Sequence, residues 1–131
     1  MSLQLEILVP DGVVVRTPVA TLQAADVSGR FGLLPNHQRF ITLLTPCLLL
    51  YRDLAEREHY AAADGGVLLM DGQQVSVVTR EAVVADRLEE VAEAAATMLR
   101  ARRAEEQTAR AEFAELQFAL LRELRKVERR P

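Results

Sequence analysis

Residues 81–94, EAVVADRLEEVAEA, mark a change of chemistry within the chain. Up to Val84 the run is β-branched and apolar. From Asp86 it becomes acidic and alanine-rich, with Leu88 and Val91 three residues apart. Asp86 has the short acceptor side chain of a helix N-cap, and Glu89 stands at the position of the reciprocal capping carboxylate. Glu89, Glu90 and Glu93 fall near the positive end of the helix dipole. The surrounding sequence divides at the same place. All six glycines lie at or before Gly72, and no proline stands between Pro46 and Pro131. Strand-and-turn chemistry therefore fills the first part and helix chemistry the second.

Upstream, Leu3, Leu5, Ile7 and Val9 alternate on one face of a strand that Pro10-Asp11-Gly12 ends. Further short runs follow: Val13–Thr17 up to Pro18, Val19–Ala25, Phe40–Leu44 before Pro46, and Cys47–Tyr51 after it. Gly32–His37 reads as an irregular loop. Glu58–Ala63, Val67–Met70 and Val75–Thr79 are separated by Gly65-Gly66 and by Asp71-Gly72, the latter a hairpin signal. Val83-Val84 closes the series. About ten short strands with frequent turns predict an antiparallel β-sandwich over residues 1–85, so the chain is α+β by segments.

Downstream, residues 86–131 form a helical region. Leu88, Val91, Ala95 and Met98 make one narrow apolar seam, and Phe113, Leu116, Leu120, Leu124 and Val127 resume it. The polar stretch from Arg100 to Arg110 interrupts it. Two structures fit: a helical hairpin turning near Gln107-Thr108, or one long helix, about 65 Å at ~1.5 Å per residue.

Composition excludes several functions. A net charge of −3 over 131 residues does not give the basic footprint of general nucleic-acid binding. The start of the chain lacks the basic-then-apolar pattern of a signal peptide, and no run approaches the ~20 apolar residues of a membrane span. A single cysteine, Cys47, makes no internal disulfide and sits in an apolar run, as a small core residue does. Two histidines without ligand spacing predict no metal site. The glycines lack the companions of a phosphate cradle, so they are assigned to backbone freedom or close packing, and no cofactor is expected. An enzyme using Cys47 with His37 as base would lack an orienting residue.

Two segments carry a family resemblance. Gly29-Arg30-Phe31-Gly32-Leu33-Leu34-Pro35-Asn36-His37, then Phe40-Ile41-Thr42-Leu43-Leu44 and Pro46, resembles the G-x-φ-G-φ-φ-P-G-H pattern (φ apolar) of the ATP synthase epsilon family, called delta in mitochondria. Ala63-Asp64-Gly65-Gly66-Val67-Leu68 followed by Val75-Ser76-Val77-Val78 is similar to that family's strand, glycine pair and strand. Asn36 replaces the family's usual glycine, and Asn tolerates left-handed backbone. Members that bind ATP carry I/L-D-x-x-R-A on the first helix. Leu88-Glu89-Glu90-Val91-Ala92-Glu93 lacks that arginine, so weak or no ATP binding is expected.

The resemblance implies a non-catalytic rotor subunit of an F-type ATP synthase, on the cytoplasmic face of a bacterial inner membrane. Its β-sandwich would attach to the gamma subunit and rest on the c-ring, and its helices would reach the catalytic head where they extend. Arg30, Phe31 and His37 are then candidates for c-ring or gamma contact, although Phe31 can equally fold back into the sandwich. Arg122, Arg125, Lys126, Arg129 and Arg130 form a basic cluster. They are either a solvated helix end or an arm that docks on acidic surfaces and restrains ATP hydrolysis. The competing function is a free-standing adaptor that joins other soluble proteins.

Overall fold

The computed structural model describes residues 2–36 and 38–128. Among the described residues seven strands precede one helix: β1 Leu3–Val9, β2 Gly12–Asp26, β3 Gly29–Leu33, β4 Phe40–Asp53, β5 Glu58–Asp71, β6 Gln74–Val78, β7 Ala82–Val84 and α1 Leu88–Glu128. The β-sandwich followed by a helical region is thus present, with fewer and longer strands than the sequence predicts.

The difference arises because the expected strand-breakers lie inside strands. Pro18 sits opposite Gln4, whose amide donates to Gln73 O instead (2.7 Å), so Pro18 needs no donor towards β1. On its other side the pairing of β2 with β4 begins only at Val19 and Asp53. Pro46 sits opposite Asp64, whose amide donates to Glu81 O (3.0 Å), so Pro46 points its missing donor towards β2. There the register jumps from Gln23 opposite Leu50 to Asp26 opposite Leu44, which leaves residues 45–49 without a β2 partner. A proline costs nothing at such a bulge. Gly32-Leu33, read as loop, belongs to β3.

Five strands close on themselves: β1 pairs β2, β2 pairs β4, β4 pairs β5, β5 pairs β6, and β6 returns to β1. A ring with an odd number of strands cannot alternate direction throughout. The expectation of a wholly antiparallel arrangement therefore fails at one pair, and β1 and β6 run parallel.

The core is aliphatic, as the scarcity of aromatics requires. Leu3, Leu5 and Ile7 of β1 face Leu22, Leu49, Leu68, Met70, Val75 and Val77, all without solvent exposure. The two long strands change inward phase along their length. In β4 the side chains that enter this core are Leu44 and then Cys47, Leu49 and Tyr51; in β5 they are Ala61 and Ala63 and then Leu68 and Met70. Each slip of phase occurs at Pro46 or at Gly65-Gly66, and so each strand serves two layers. The glycine pair has positive φ values of 74° and 110°. Asp64 beside it is buried, and the Arg80 Nε and Nη2 groups donate to its Oδ2 at 3.0 and 2.5 Å.

Of the two helical alternatives, one continuous helix forms. Every residue of the polar stretch is compatible with helix, and the Thr108 hydroxyl is absorbed by donating to Ala104 O (3.0 Å). The first intrahelical bond is Val91 N to Arg87 O at 3.4 Å, so Arg87 rather than Asp86 flanks the first turn. The chain divides into two compact units, Met1–Leu99 and Arg100–Pro131. The first three turns of α1 belong with the sandwich.

Candidate docking faces

The phase slips give the sandwich unit two outer faces, and both are apolar. One is covered by the chain itself. Leu48 of β4, Tyr60 and Ala62 of β5 and Val83 of β7 pack against Val91, Ala94, Ala95 and Met98 of α1, with Ala62 and Val91 wholly buried. The expected seam is real here, although Leu88 stays 40% exposed.

The other outer face has no cover. Cross-strand register places Leu43, Val67, Val78, Leu8 and Val13 in one row across β4, β5, β6, β1 and β2. The next row begins with Ile41 and Leu69 and turns polar at Ser76, Glu6 and Arg16. Glu6 and Arg16 pair at 2.9 Å and close that side. Ile41 and Leu43 are 68% and 71% exposed, and Val78 and Val13 are also exposed. A contiguous apolar strip on an ordered sheet is the mark of a docking surface. The sequence signal for it was available: Ile41-Thr42-Leu43-Leu44 and Val75-Ser76-Val77-Val78 place apolar residues in both strand phases.

The segment that carries the family resemblance is held by Asp26. Its carboxylate accepts from Ser28 N (2.8 Å), Ser28 Oγ (2.5 Å) and Thr42 Oγ1 (2.8 Å), and these bonds lower its pKa below the ordinary aspartate value. The turn so fixed presents Val27 almost fully to solvent. Arg30 is exposed, and its guanidinium donates to Leu48 O at 3.1 Å, reaching across β2 to the bulged stretch of β4. Phe31 folds back: it is half-buried on the core and meets Phe40 edge-on, with centroids 5.4 Å apart. Asn36 takes φ 68°, the left-handed backbone expected of a glycine substitute, and its Oδ1 accepts from Gln73 Nε2 at 3.2 Å. His37 lies outside the described residues.

In the distal unit, Arg122, Arg125 and Lys126 are exposed, and Lys126 pairs with Glu123 at 3.3 Å. Arg129 and Arg130 lie outside the described residues. Phe113, Leu116, Phe118, Leu120, Leu121 and Leu124 are all more than half exposed. Cys47 is buried, and desolvation raises its thiol pKa, which opposes the thiolate a nucleophile needs. Among the described residues no group of His, Cys, Asp and Glu is placed to hold a metal ion. Among the described residues no helix is long and apolar enough to cross a membrane.

Known proteins match this arrangement. Residues 2–85 match the family model of the ATP synthase, Delta/Epsilon chain, beta-sandwich domain. The chain is 36% identical to ATP synthase epsilon chain 2 of Paraburkholderia xenovorans over 66% of its own length, and the match spans only 64% of that relative. It is 33% identical to the ATP synthase epsilon chain of Herpetosiphon aurantiacus over 87% of each chain. In structure it is similar to a chain of the Euglena gracilis mitochondrial ATP synthase (OSCP/F1/c-ring), with a TM-score of 0.63 and 25% identity over 81% of this chain and 66% of that one. A chain of the Tetrahymena thermophila mitochondrial ATP synthase central stalk/c-ring shares the fold, with a TM-score of 0.54 at 11% identity. With the family model covering the whole sandwich and a relative aligned over 87% of each chain, the chain belongs to the ATP synthase delta/epsilon chain family.

Proposed function

We propose that this chain is a non-catalytic central-stalk subunit of an F-type ATP synthase, attached to the gamma subunit through the uncovered sandwich face. The observation that carries this is the apolar row Leu43-Val67-Val78-Leu8-Val13, open to solvent while the opposite face is covered by α1. In this role the sandwich transmits rotation of the c-ring to the catalytic head, where other subunits make or hydrolyse ATP. The turn around Val27, with Arg30 and His37, rests on the ring. The complex holds the subunit peripherally at the cytoplasmic face of a bacterial inner membrane, a placement supported by the bacterial relatives. The test is affinity capture from solubilised membranes, comparing the native chain with Leu43→Glu. Gamma and the c-ring should accompany the first and be lost from the second. Capture of soluble proteins without either would replace the rotor by an adaptor.

The distal helix supports a regulatory role. Arg122, Arg125 and Lys126 are exposed beside unpartnered apolar residues, a combination suited to acidic, partly apolar surfaces of the catalytic subunits. Ending the chain after Leu99 keeps the docked turns of α1 and removes only this arm. ATP hydrolysis by the assembled complex should then rise, and unchanged hydrolysis would remove the inhibitory role.

A further inference from the structure

A bulge in β4 leaves its residues 45–49 without ladder partners in β2. Side chains fill in: Thr45 Oγ1 donates to Ala25 O (3.4 Å), and Arg30 Nη1 donates to Leu48 O (3.1 Å). Arg30 belongs to β3, where it pairs with Ala25, so its guanidinium reaches over β2 to the next strand. Leu48 is a junction. Its carbonyl is held by Arg30, while its side chain packs against the cluster that Ala62 forms with Val91 and Met98 of α1. Opposite it in the ladder is Ala62, wholly buried under the same helix.

We propose that Arg30 is a positioning residue that links the β3 edge to the docked first turns of α1 through Leu48. With Arg30 in place, the unpaired stretch of β4 is fixed at the point where α1 packs. A partner carboxylate at the β3 edge competes with Leu48 O for the same guanidinium, because a charged acceptor is stronger than a carbonyl. Capture of Arg30 then frees Leu48 and loosens Val91 and Met98. The partner at this edge rests on the rotor reading above, whereas the link itself is a property of the isolated chain.

Amide hydrogen exchange on the purified full-length chain tests it. Arg30→Ala should accelerate exchange across residues 91–98 about two- to tenfold, the range of one net hydrogen bond. Arg30→Lys should recover part of the protection. Arg52→Ala, which removes an exposed arginine of β4 bonded to Glu58, should leave those amides unchanged. In Met98→Ala, where the packing end of the link is already weakened, Arg30→Ala should add less than it does alone. A polyglutamate peptide at low ionic strength should accelerate the same amides in the native chain and not in Arg30→Ala. Unchanged exchange in Arg30→Ala, full additivity with Met98→Ala, or equal peptide effects in both chains would overturn the link. None of these outcomes bears on whether the chain attaches to gamma.

Discussion

Gly66 and Val78 bring two backbones together with no room for a side chain between them. A Cβ on Gly66 would lie 2.0 Å from the Val78 carbonyl oxygen, and Gly66 holds φ +110°. Gly66→Ala therefore meets both a clash with rigid backbone and a disfavoured conformation, and should destabilise the fold by about 3 kcal/mol or more. Gly72→Ala is the control. It has open space but φ +63°, so its cost should be about 1–2 kcal/mol. Urea unfolding of both variants measures the difference.

Two apolar groups of α1 should differ in what they hold. Met98 is 8% exposed and Val91 fully buried against the sheet. Met98→Ala should lower unfolding free energy by about 2–3 kcal/mol through the cavity it leaves. Leu120→Ala, at a site 60% exposed, should change it by no more than about 0.5 kcal/mol. Denaturant melts of the isolated chain separate these outcomes.

Leu43→Glu should divide binding from folding. Its side chain is 71% exposed, so the isolated chain should lose no more than about 1 kcal/mol from strand propensity. Affinity for gamma should fall at least about tenfold, because a carboxylate covered by an apolar interface is left without water. Calorimetric titration alongside a thermal melt checks both halves.

Acid should weaken the Asp26 turn. The Ser28 hydroxyl, the Thr42 hydroxyl and the Ser28 amide all favour the ionised carboxylate, so its folded pKa lies below its unfolded one. The stability it contributes is present above the unfolded pKa and is lost as pH falls through the folded pKa. Asp53 behaves alike, held low by His59 and by the Arg57 and Ala55 amides. In Asp26→Asn the decline of Tm from about pH 5 to about pH 2 should be shallower than in the native chain. An identical slope would remove Asp26 from the acid response.

The sandwich-then-helix order was legible because glycine, proline and β-branched residues stop where alanine and charge begin. The strand count was not, because Pro18, Pro46 and Gly65-Gly66 act as punctuation only where a ladder needs their donors or a Cβ. Register decides that, and register is a long-range property. The same limit hid how far the uncovered face extends, although apolar residues in both strand phases signalled it locally. Ile41 and Leu43 read as half of a strand, and only the pairing of β4 with β5, β6 and β1 lines them up with Leu69, Val67, Val78 and Leu8. Phe31 was ambiguous for a local reason: its partner Phe40 lies beyond the loop, and nothing in the intervening residues fixes how that loop folds.

The uncovered row of apolar side chains also sets terms for the free chain. It costs nothing once covered, but every unassembled copy carries it into solution, where a second copy is as good a cover as any. Overproduced alone, the chain should self-associate with rising concentration, and Leu43→Glu should keep it monomeric. Its synthesis has to keep step with that of whatever shields the strip, since a surplus has no stable place to go.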